Sequence, residues 1–137
     1  MFLNTLSESD KTSFLELAHH LAWSSGDVSE REKAVIKSYC DEMQVQDILY
    51  DEKKFNLDET LSRISAKKDQ RIITLEILAL ILSEHNLNLD SMYEAEKEVL
   101  NAITTHFNIT PHLLNVYVEW SKTMLSLARQ GESLIEL

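Results

Sequence analysis

Seven acidic residues, Asp27, Glu30, Glu32, Glu84, Asp90, Glu94 and Glu96, fall in two polar stretches that each lead into an amphipathic pattern. Carboxylates that converge in one place suit a hard cation such as Ca2+, which takes roughly six to eight oxygen ligands. Six of the seven, Asp27, Glu30, Glu32, Glu84, Asp90 and Glu96, form the candidate cation set. The same acids also have a ligand-free explanation. In the first turn of a helix they complement the macrodipole, and a Ser-x-x-Glu capping box accounts for Glu32 after Ser29 and for Glu94 after Ser91.

Other chemistry-bearing spacings are incomplete. Asn86, Asn88, Asp90 and Glu94 occupy alternating ligand positions of an EF-hand-like loop. Ser91 replaces its turn glycine and Lys97 its bidentate glutamate, so the segment reads as a polar turn. Glu16 and His19 form one Glu-x-x-His pair, whereas a di-iron bundle needs two. His19, His20, His85, His106 and His112 are otherwise scattered. Cys40 lies one helical turn from Ile36 on an apolar face, where a thiol packs rather than reacts. No Gly-x-Ser-x-Gly elbow exists, and two glycines, Gly26 and Gly131, cannot build a phosphate-cradling loop. The expectation is a protein that is not an enzyme.

The elements that must position these residues are helical. The chain has 137 residues, 44% of them hydrophobic, with two glycines and a single proline, Pro111. That suffices for one domain, residues 1–137, with its own core, and it lacks the turn chemistry of a β or βαβ chain. Thirteen Lys and Arg against 23 Asp and Glu leave a formal charge of −10. Such a surface repels a phosphate backbone and favours cations or a basic protein face. No nucleic-acid partner is expected. The lone cysteine and an N-terminal stretch without a basic start point to a cytoplasmic chain, and no run is apolar enough to span a membrane.

Periodicity places a helix from Asp10 to about Ser24 on Phe14, Leu17, Ala18 and Leu21, stopped by Gly26. A second begins at the Ser29 capping box and shows Val35, Ile36, Tyr39, Cys40 and Met43. Residues 46–56 read as turns, Leu57 to Ile64 as a short helix, and Ile72 to Leu82, capped by Asp69, as a central helix apolar on all sides. A helix with Val99, Leu100, Ile103 and Phe107 follows the Ser91 box. The last starts at Thr110-Pro111 and is expected to end at Gly131, leaving a short tail. Its apolar rows, Leu113 to Leu127 and Leu114 to Leu125, predict either a helix wrapped by the hairpins, the favoured reading, or a contact surface for a protein partner or second copy, with the tail residues Leu134, Ile135 and Leu137 after Gly131 as the contact element. Glu32-Lys33 and Glu96-Lys97 follow equivalent turns, so the chain reads as two related helical hairpins in an all-α bundle of six to seven helices.

This repeated grammar resembles the tellurite-resistance TerB-like family, whose hairpins end a helix in small residue-Asp-Gly and close an acidic run in Glu-Lys. In Ala22-Trp-Ser-Ser-Gly-Asp-Val-Ser-Glu-Arg-Glu-Lys33, Gly26, Val28, Ser29, Glu32 and Lys33 match, while Ser25 stands in place of Asp. In the second copy Glu84-His85 stands in place of Asp-Gly, about five residues are inserted, and Glu94-Ala-Glu96-Lys97 resumes the pattern. The resemblance covers nearly the whole chain. It implies an all-α accessory or binding domain of tellurite-resistance and stress-response systems, with a metal site in the acidic turns that is weakened or lost here. A divalent-cation-binding domain using those turns is the alternative.

Overall fold

Helix α1 (Glu8–Ser24) is the hub, because Phe14, Leu15, Leu17, Ala18 and Leu21 are buried and α2 (Glu30–Met43), α3 (Leu57–Ser62), α4 (Lys67–Glu84) and α5 (Glu94–His106) all pack on it. The computed structural model describes residues 1–24, 26 and 28–137; Ser25 and Asp27 lie outside the described residues. α6 (Pro111–Ile135) completes six helices among the described residues, with 3-10 turns at Leu3–Thr5 before α1 and at Leu89–Ser91 between α4 and α5. The described residues contain no strand, and no helix among them is long and apolar enough to cross a membrane.

Phe14 and Leu17 of α1 meet Ile73, Ile77 and Ile81 of α4 in one core that also holds Met43, Leu61, Ile64, Val99 and Ile103. Full burial of each aliphatic side chain contributes on the order of 2 kcal/mol. α4 is buried almost all round, as its pattern predicts. Capping agrees at two helix starts, where Ser29 accepts from the Glu32 amide and Thr110 from Leu113; Asn56 also caps α3, accepting from the Glu59 amide.

Five expectations need correction. α1 starts at Glu8, where the Ser7 hydroxyl accepts from the Asp10 amide at 3.3 Å. Asp69 does not cap α4, whose N-cap is Ala66; it sits buried in the first turn, accepts from the Ser7 amide at 3.2 Å and shares a hydrogen bond with Asp10. Burial and that neighbour raise the Asp10 carboxyl to about 6. α6 does not stop at Gly131, because one glycine in a helix interior costs only about 1 kcal/mol and the flanking residues propagate the helix. Nor do the hairpins wrap α6. It lies along α4 on the outside, buries only Val118 and Ser121, and leaves Trp120, Leu127, Leu134 and Ile135 exposed. The two hairpins also pair unequally, since α1 lies on α2 whereas α4 takes α6 as its main neighbour and α5 lies on α3.

Candidate cation site at the second hairpin turn

Helices α2 and α5 begin alike. In each, the glutamate at the third helical position reaches back to the amide preceding the helix: Ser29 N donates to Glu32 Oε1 at 3.0 Å, and Tyr93 N donates to Glu96 Oε1 at 2.8 Å. In each, a lysine pairs with the glutamate three residues before it, Lys33 with Glu30 and Lys97 with Glu94. The expected cap at the second start is displaced. Ser91 lies in the 3-10 turn and Tyr93 is the N-cap, because the longer connection shifts the helix start two residues along.

That connection folds back under α5. α4 ends at Glu84, and Asn86 and Leu87 adopt left-handed backbone (φ 53° and 67°), with Leu87 N donating to Leu82 O at 2.8 Å. A leucine at positive φ is costly, so packing around it must hold the turn. The reversal brings His85 beneath Glu96, with Nε2 2.6 Å from Glu96 Oε1 and Nδ1 3.3 Å from the Ser91 hydroxyl. The Tyr93 ring closes over the imidazole edge-on at 5.0 Å. The side chains of His85 and Glu96 are only 6% and 3% exposed.

Glu84 completes the cluster. One donor atom from each of Glu84, His85 and Glu96 lies within 4.8 Å of the other two. Burial raises the Glu84 carboxyl to about 7; a hydrogen bond to Glu96 and the charges of Glu96 and Glu32 add to this, against a weaker opposing pull from Arg31. Two carboxylates this close repel, and a proton held on Glu84 and shared with Glu96 relieves that repulsion. Glu32 lines the same narrow gap as Glu84, so the two turns approach each other here.

Of the predicted acids, the fold therefore brings Glu84 and Glu96 together, with Glu32 close by. Glu30 is exposed and paired with Lys33, Asp90 is exposed in the 3-10 turn, and Asp27 lies outside the described residues. Glu94 faces solvent beside Lys97. The EF-hand-like residues stay apart: Asn88 Oδ1 accepts from the Asp90 amide, and Asn86 Oδ1 from Arg129. Glu16 and His19 diverge, Glu16 to Thr60 and Arg63, His19 to Asp47. His85 is what sequence reasoning passed over. In sequence it is one of five scattered histidines, and only the reversal at Asn86 and Leu87 carries it to Glu96.

Cys40 lies buried on α2. Burial, together with the charge and hydrogen bond of Asp47, pushes its thiol up and away from thiolate. Compared with known proteins, the chain matches no family model, no curated protein and no solved structure.

Proposed function

We propose that this chain is a non-enzymatic helical binding domain whose second hairpin turn takes a divalent cation on Glu84, His85 and Glu96. The observation that carries the reading is the convergence of one imidazole and two carboxylates within 4.8 Å, with Glu96 buried, the His85 side chain nearly so and Glu84 open to solvent. Tetrahedral ligation at about 2.1 Å separates donor atoms by about 3.5 Å, so shifts of about 1 Å close the triangle. The donor set fits. Mixed nitrogen and oxygen ligation suits Zn2+ or a neighbouring first-row ion, whereas Ca2+ needs more oxygens than two carboxylates supply. The Ser91 hydroxyl on Nδ1 orients the ring with Nε2 toward the carboxylates. A bound dication would replace the shared proton as the counter-charge.

This is the alternative function read from the sequence, with a nitrogen donor added and the first turn reduced to a neighbour. The TerB-like grammar supports a stress-response setting, the lone thiol and the −10 charge support a cytoplasmic one, and the exposed row on α6 supports a protein contact. Calorimetric titration with Zn2+ and with Ca2+ tests the site. Zn2+ is expected to bind, with affinity falling at least about tenfold in His85→Ala and far less in Glu32→Ala, while Ca2+ gives little heat. Absence of Zn2+ binding at micromolar concentrations, or equal loss in both variants, would sink the proposal.

A further inference from the structure

A second concavity shares no residue with the cation cluster. It is a cleft of about 330 Å3 between α1, α3 and the strap of residues 45–56 that crosses α1. The strap is pinned by ring donors and acceptors on α1: His19 to Asp47 at 2.7 Å, His20 to the Tyr50 hydroxyl at 3.2 Å, and Trp23 to Glu52. The His20 ring also stacks on Phe55 at 4.4 Å. The cleft is thus built on anchored walls, and its volume falls at the small end of those that take metabolites.

Its lining carries both signs of charge and an apolar surface. Glu16 accepts from Thr60 and Arg63 through one oxygen, Oε2, at 2.9 Å each. Lys54 from the strap and Glu59 from α3 line the same cleft, and among the described residues their side chains make no hydrogen bond or ion pair. Leu49, also in the lining, is wholly exposed, beside Ile48 and Phe55. Three acids (Glu16, Asp51, Glu59) and two bases (Lys54, Arg63) disfavour a simple anion, and the two bases disfavour a simple cation. A molecule carrying both charges and an apolar body meets every part of this lining.

We propose that the cleft binds a small zwitterion with an apolar body, a free amino acid with an aliphatic side chain. Its carboxylate goes to Lys54, its ammonium to Glu59 and the open oxygen of Glu16, and its side chain to Leu49 and Phe55. Binding covers Leu49, whose exposure otherwise leaves apolar area in water. The test is an amide NMR titration of the full chain with L-leucine, L-leucinamide and 4-methylpentanoate. L-leucine is expected to give saturable shifts confined to residues 48–63, and each analogue lacking one charge to bind at least about fivefold more weakly. Lys54→Gln should weaken L-leucine by a similar factor and leave L-leucinamide unaffected; Glu59→Gln should do the same for L-leucine and spare 4-methylpentanoate. Both substitutions are at exposed positions, and unchanged amide spectra elsewhere verify the fold. No saturation by L-leucine at millimolar concentration, or L-leucine binding indifferent to Lys54→Gln, would overturn the proposal.

Discussion

The two hairpin turns start their second helices with the same glutamate-to-backbone hydrogen bond and put it to different ends. In the first, five residues separate α1 from α2 (residues 25–29), and Glu32 does the ordinary work of a capping glutamate, partly exposed. In the second, the connection between α4 and α5 is longer, folds through two left-handed residues, and slides His85 under the equivalent glutamate. Glu96 is thereby both a cap and a buried member of a charged cluster. The lesson is about context: one local rule places both carboxylates, and loop length decides which of them has chemistry available.

That contrast predicts its largest effect in a matched pair of truncations. Glu96→Ala strips the cap from α5 and leaves the buried His85 nitrogen and the Tyr93 amide without their acceptor, a loss expected to cost about 2–4 kcal/mol. Glu32→Ala removes half of a partly exposed capping box and is expected to cost about 1 kcal/mol or less. Urea denaturation of both variants measures the difference. Equal costs would mean that the two turns are energetically alike and the cluster adds nothing to the fold.

The next effect lies in how each turn reverses the chain. Gly26 has φ +110°, a conformation closed to residues with a Cβ even though open space surrounds it, so Gly26→Val is expected to cost more than about 1 kcal/mol. In the second turn Asn86 at φ 53° occupies the left-handed region that asparagine tolerates, and Asn86→Ala is expected to cost less, about 0.5–1 kcal/mol. Melting midpoints of the two variants rank them; the reverse order would contradict the assigned backbone roles.

The smallest effect is electrostatic. Glu84 holds its proton more tightly folded than unfolded, its carboxyl being raised from 4.5 to about 7. Its contribution to stability is therefore complete below about pH 4.5 and is lost as pH rises through 7. Asp10, raised from 3.8 to about 6, acts in the same direction over a lower window. Glu84→Gln removes only the Glu84 part, so the variant should gain on the wild type between pH 4.5 and 8, by at most about 1 kcal/mol because solvent reaches this residue. Chemical denaturation at several pH values measures that gain, and a constant difference across the range would remove the shared proton from the picture.

The helices were legible in the sequence wherever apolar spacing or a cap was strong, as at Phe14 to Leu21, Ser29 and Thr110-Pro111. Gly131 misled, because a single glycine stops a helix only where the chain also turns, and here the backbone continues to Ile135. The outward face of α6 misled for a related reason: apolar rows show what a helix can bury, not whether the fold supplies a partner for each row. Half of the site was legible as well. Glu84 and Glu96 stood out through the repeat, but His85 enters only through a left-handed reversal at Asn86 and Leu87, neither of them a glycine, so no residue pattern announced it.

Imidazole 15N chemical shifts, followed while Zn2+ is added to the labelled chain, report directly on whether His85 Nε2 binds the cation. The His85 Nε2 resonance is expected to move to its metal-bound position in step with Zn2+ saturation, with Nδ1 carrying the ring proton in the complex and the other four histidines unmoved. A His85 ring unchanged at saturating Zn2+, or one shifting no more than His19, His20, His106 and His112, would contradict a cation site at the second turn.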